Sequence, residues 1–120
     1  MNIEALQAKL RTFAQERDWD QFHSPKNLAM ALAGEAGELL EHFQWLTEEQ
    51  SKALPADEAK KKQVSEELAD VGIYLVRLCD KLGIDLEQAI EAKMAANALK
   101  YPVSLAKGNA TKYTDFGAKP

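Results

Sequence analysis

Hydrophobic positions recur at the helical period through almost the whole chain. Ile3, Leu6, Leu10 and Phe13 form an i, i+3, i+7 stripe, which predicts a first helix over residues 3–17. The stretch "RDWDQFHSPKN" breaks that period. Ser24 followed by Pro25 then supplies a start signal, since the hydroxyl caps and proline fits the first turn. A second helix is predicted from Pro25 to Phe43, with Leu28, Leu32, Leu39 and Phe43 on one face. Thr47-Glu48-Glu49-Gln50 resembles a capping box and predicts a short helix after Thr47. A further long helix is predicted from Asp57 to Leu82 on the stripe Val64, Leu68, Val71, Leu75, Leu78 and Leu82. Gly83 reads as its left-handed C-terminal cap. Asp85 with Gln88 opens the last long helix, which carries Leu86, Ile90 and Met94 and stops before Pro102. No strand alternation of useful length occurs.

The pattern therefore predicts an all-α fold, a four-helix-type bundle over residues 1–102 with a loosely ordered tail over 103–120. The run "VGIYLVRLC", residues 71–79, is apolar on nearly all sides and needs covering on all sides. A single small bundle covers its members mainly on inner faces, so the run predicts a homo-oligomer, with a central position in the monomer as the alternative.

Two acidic pairs interrupt this picture. "ALAGEAGELLEHFQW", residues 31–45, makes a good buried helix yet holds Glu35 and Glu38. With Leu28 at zero and about 100° per residue, Glu35 falls at about −20° and Glu38 at about −80°, beside an apolar arc of about 0° to 80°. With Val64 at zero, Glu67 falls at about −60° and Asp70 at about −120°. Both pairs lie on the same angular side of their stripes, and an antiparallel pairing of these helices brings them together. Like charges that close raise each other's pKa, and a hard divalent cation removes the conflict. Mg²⁺ fits such a set, and Mn²⁺ also fits oxygen-rich ligands. One pair alone is ordinarily a solvated helix face, and Glu38–Glu41 is another such pair. A ferritin-like di-iron site needs Glu-x-x-His on two helices, a spacing that does not occur.

Other polar and aromatic positions are candidates around that cluster. Trp19, Phe22 and Trp45 lie near the ends of the acidic helices, where an aromatic face stacks a base or simply packs. Selectivity needs polar groups, and His23 and Asn27 are placed for it, with a backbone-capping role for His23 as the alternative. Lys93 and Asn97 sit within the apolar stripe of the last long helix and need partners, whether a phosphate or an acidic side chain. His42 lies four residues beyond Glu38 and is placed to orient it, with a solvated or interfacial position as the alternative.

Composition narrows the function. The chain has 120 residues, one domain's worth, with 15 Lys+Arg against 19 Asp+Glu and a net charge of −4. That balance argues against a nucleic-acid polymer as partner. No apolar stretch is long enough to span a membrane, and no signal-peptide core opens the chain. The single Cys79 excludes an internal disulfide framework and fits a reducing cytoplasm.

"GEAGELLEHFQW" followed by "EELADVGIYLV" resembles the Glu-x-x-Glu … Glu-x-x-Asp signature of the all-α nucleoside triphosphate pyrophosphohydrolases, the MazG-like group. "ERDWDQFHSPKNL", "KMAANALKYP" and "TKYT" resemble its dCTP pyrophosphatase branch, and the likeness covers about residues 3–114. The resemblance implies Mg²⁺-dependent hydrolysis of a deoxynucleoside triphosphate to monophosphate and pyrophosphate, a house-cleaning role, and assembly as a dimer or dimer of dimers. It implies Glu35, Glu38, Glu67 and Asp70 as metal ligands. Trp19, Phe22, His23, Trp45 and Tyr74 would form the base and sugar pocket, with Lys93 and Asn97 facing the nucleotide. In the implied reaction Glu38 or Glu67 handles the attacking water. The branch can offer a histidine from the first helix where this chain has Leu10. A broader enzyme taking dATP as well as dCTP is the alternative within this chemistry. A helical interaction module with an acidic, cation-binding edge is the alternative outside it.

Overall fold

The computed structural model describes residues 1–117; the part of the expected tail at 118–120 lies outside the described residues. All regular structure among the described residues is helical. The chain divides into two compact units, Met1–Ile84 and Asp85–Pro120.

The first unit holds α1 (Ile3–Glu16), α2 (Pro25–Glu41), the short α3 (Glu48–Ala53) and α4 (Glu58–Leu82). Each start is capped by a side chain of the preceding residue. Asn2 accepts from Ala5 N–H, Ser24 from Asn27 N–H, and Asp57 from Lys60 N–H. Thr47 and Gln50 form a full reciprocal capping box. α4 ends where Gly83 takes φ 66°, a left-handed conformation that costs a glycine nothing.

α2 packs most extensively on α4, and α1 packs on α4 as well. Phe43 meets Val64, Glu38 meets Glu67 and His23 meets Arg77. Positions falling along one segment meet positions rising along the other, so α2 and α4 run antiparallel. The buried apolar side chains are Ala14, Leu28, Leu54, Val64, Val76 and Cys79. Burial raises the Cys79 thiol above its ordinary pKa, as for an inert core cysteine.

The α4 stripe is not covered along its length. Leu68 and Leu82, both assigned to it from spacing, are 53% and 51% exposed. Leu68 stands level with α2 but is turned about 100° around α4 from Glu67, which faces α2. Leu68 instead lines an open apolar groove of about 400 Å³ with Ala36, Leu39, Leu40, Phe43 and Val64.

The second unit holds α5 (Leu86–Lys100) and α6 (Val103–Ala106), with Asp85 accepting from Gln88 N–H at the start of α5. The Tyr101 ring meets those of Tyr113 and Phe116 edge-on, at 5.9 and 5.6 Å. The stretch after Pro102, sparse in large aliphatic residues, thus gains local order from α6 and from aromatic contacts.

Candidate functional site

The seam between α2 and α4 brings three carboxylates together. Glu35 and Glu38 stand one turn apart on α2, and Glu67 faces them from α4. One oxygen from each lies within 4.8 Å of the others. Glu35 Oε2 and Glu67 Oε2 are buried without a hydrogen-bond partner. Orphaned buried acceptors of this kind are rare unless something is to be bound.

The crowding shows in the titration. The Glu35 carboxyl is pushed up to about 7, first by a hydrogen bond with Glu38, then by burial and by the charges of Glu38, Asp70 and Glu67. Glu67 is raised by burial and then by Glu38, while His42 opposes the rise. His42 Nε2 lies 3.7 Å from Glu67 Oε1, so this histidine addresses Glu67 rather than Glu38. Asp70 acts on Glu35 through its charge but lies outside the close trio. It stands a turn beyond Glu67, and its side chain is one methylene shorter. The donors are all hard carboxylate oxygens, and two of them lack any proton donor. That set fits Mg²⁺ or Mn²⁺.

A second polar cluster occupies the other end of the α2–α4 pair. Arg77, on α4, is 2% exposed. Its Nε and Nη2 lie 3.3 and 3.1 Å from His23 Nδ1, and Nη2 donates to Asp20 Oδ1 at 3.0 Å. Lys81 Nζ donates to the same Asp20 oxygen at 2.7 Å. Asn27 Nδ2 donates to the Phe22 carbonyl at 3.0 Å, tying the turn at Asp20–Phe22 to the start of α2. Trp19 packs edge-on against Phe13 at 5.8 Å and remains half-exposed, as does Phe22.

These positions share one edge of α4. Glu67, Asp70, Tyr74, Arg77 and Lys81 fall within an arc of about 80°, and Glu67 and Arg77 are about 15 Å apart along the axis. Tyr74 is half-buried between the acidic and the Arg77 ends. Trp45 is not brought to the His23 end. It lies beyond the C-terminus of α2, 86% exposed, while His23 precedes the N-terminus of this 17-residue helix. One protomer therefore does not gather Trp19, Phe22, His23 and Trp45 into a single pocket. Lys93 is exposed and Asn97 half-buried on α5 of the second unit.

Arg77, Asp20 and Lys81 were absent from the sequence candidates. The available signal was Arg77 itself, the one charge in "VGIYLVRLC". A guanidinium in an apolar run requires partners.

The fold and the acidic seam define a class. The model of the MazG-like family matches residues 31–116, and the chain belongs to that family. It is similar to dCTP pyrophosphatase 1 of Mus musculus, 52% identical over 116 residues, 95% of this chain and 67% of that protein. It is 48% identical over 114 residues to dCTP pyrophosphatase 1 of Bos taurus, covering 95% of this chain and 68% of that one. Among solved structures it is similar to a pyrophosphatase from Archaeoglobus fulgidus. That match has a TM-score of 0.76 and 42% identity, and covers 85% of this chain and 94% of the other.

Proposed function

We propose that this chain is a nucleotide pyrophosphohydrolase that converts dCTP to dCMP and pyrophosphate and so clears surplus deoxynucleotide. The observation that carries this reading is the Glu35–Glu38–Glu67 trio with its two orphaned buried oxygens. The relatives named dCTP pyrophosphatase 1, at 48% and 52% identity, support the substrate.

Glu35, Glu38 and Glu67 would hold Mg²⁺, with Asp70 as a further ligand. When bound, the ion supplies positive charge that neutralises the triphosphate and polarises the attacked phosphorus. Glu38 or Glu67 accepts the proton of the attacking water; the water oxygen bonds to the α-phosphorus as the bond to the bridging oxygen breaks, and pyrophosphate leaves. His42, at 3.7 Å, orients Glu67. Trp19, Phe22 and Tyr74 offer faces for the base and sugar, and His23 and Asn27 the polar groups near them.

Several further features support a homo-oligomer. Trp45, Leu40, Leu68 and Ile73 are exposed on the first unit, and such apolar area on a small chain marks an interface. A dimer, or a dimer of dimers, covers it with closed symmetry. Among the described residues no helix is long and apolar enough to cross a membrane. The lone buried Cys79 fits a reducing cytoplasm.

Pyrophosphate release from a panel of nucleoside triphosphates, with wild type and Glu38→Ala, tests the reading. A peak for dCTP that vanishes in the variant and with excess chelator supports it. Comparable rates for dATP would favour the broader enzyme, and a flat panel for both proteins would sink the enzymatic account.

A further inference from the structure

The Arg77–His23 contact carries more than local packing. A guanidinium has only donors, and it stays protonated at any working pH. Two of its nitrogens lie within 3.3 Å of His23 Nδ1. A proton on Nδ1 would set donor against donor at a site where Arg77 is almost wholly shielded from water. Nδ1 therefore carries the lone pair, and the neutral ring keeps its proton on Nε2. Asp20 accepts from the same Nη2 and so holds the guanidinium in place, and Lys81 donates to that Asp20 oxygen.

We infer that Arg77 is a positioning residue that locks His23 in its Nε2–H tautomer, so that this side chain offers a single hydrogen-bond donor to the nucleobase. The first half rests on the geometry alone; the second rests on the function proposed above. An Nε2–H donor accepts a base edge carrying a carbonyl oxygen or an unprotonated ring nitrogen. It penalises an edge that presents an amino group or a ring N–H, because two donors would then face each other unpaired. Among the described residues no hydrogen bond consumes Nε2, so the donor remains available. The charged groups that face the ring are Arg77 and Lys81 from α4 and Asp20 from the preceding turn. Burial, then the Arg77 charge, pulls the His23 pKa below its ordinary value, the direction that agrees with the donor–acceptor geometry.

Long-range ¹H–¹⁵N correlation on the ¹⁵N-labelled full chain tests the lock. Wild type is expected to show an unprotonated Nδ1 and a protonated Nε2. The opposite pattern, or a rapid mixture of tautomers, overturns the inference, and this readout needs no variant. Arg77→Met is expected to release the ring to a tautomer mixture and to move its pKa up toward the ordinary value of about 6.5. An unchanged ¹⁵N pattern in a folded Arg77→Met protein overturns the role of Arg77. In nucleotide assays Arg77→Met is expected to raise KM for the preferred substrate about tenfold while kcat stays within about twofold. A fall in kcat with KM unchanged overturns the base-recognition half. If wild type hydrolyses no nucleotide at all, the proposed function fails while the ¹⁵N spectrum still judges the lock.

Discussion

Glu35 and Glu67 face each other across the α2–α4 seam, each with an Oε2 that is buried and unpartnered. Without a cation the pair is a source of instability that grows with pH. The Glu35 carboxyl titrates at about 7 in the fold against an ordinary value of 4.5. A folded value above the unfolded one means the protonated form suits the fold. That contribution is fully present below 4.5 and is lost as pH rises through about 7. In chelator, the thermal midpoint should fall between about pH 5 and about pH 8, and Glu35→Gln should flatten the slope. Magnesium should restore the wild type at the higher pH, by about 2.7 kcal/mol at 100 times its Kd. A midpoint that ignores both pH and magnesium would contradict the cation site.

The trio should be indispensable for turnover but not for folding. Glu38→Gln and Glu67→Gln are expected to lower kcat by on the order of 10²–10⁴-fold, with helical circular dichroism unchanged. Pyrophosphate release at saturating magnesium measures this. Retention of near-wild-type turnover in both variants would remove them from the reaction.

Arg11 and Asp80 form a two-pronged ion pair between α1 and α4, Nε to Oδ2 at 2.6 Å and Nη2 to Oδ1 at 2.7 Å. The hydrogen bond from Arg11 is the main reason the Asp80 carboxyl sits below the ordinary carboxylate range. Its folded value is depressed, so its contribution is present above the unfolded value of 3.8 and is lost as pH falls through the folded one. Asp80→Asn should therefore lower stability at neutral pH and flatten the acid limb of the pH–stability curve, read by urea unfolding.

Two positions test the frame of α2. Leu28 is 1% exposed, and Leu28→Ala should cost about 3 kcal/mol through lost burial and a cavity. Ser24→Ala removes the cap on Asn27 N–H and should cost about 1 kcal/mol. Both are measured by urea titration at fixed protein concentration, since association shifts the midpoint by mass action.

Much of this was legible in the chain. Local signals act within one or two turns, so Ser24, Thr47 with Gln50, Asp57, Gly83 and Asp85 marked real helix ends. The approach of Glu35 and Glu38 to Glu67 was legible because an angular offset from an apolar stripe survives folding, whereas Asp70 lies outside that trio. The partners of Arg77 were not, because Asp20 and His23 lie more than 50 residues away and no periodicity reports them. Arg11 and Asp80, 69 residues apart, escaped for the same reason. Leu68 and Leu82 fitted the stripe yet stay exposed, since spacing assigns a face of the helix but not which neighbour covers it. His42 follows the last turn of α2, and its approach to Glu67 is a contact between helices that spacing within α2 does not report.

α4 runs without interruption from Glu58 to Leu82 and carries both the acidic end and the Arg77 end. It therefore behaves as a rigid ruler. Inserting one residue between Glu67 and Arg77 would lengthen the span by only about 1.5 Å but swing one end about 100° around the rod. Reach along this scaffold changes in whole turns, so small adjustments of fit have to come from the loops that meet the rod.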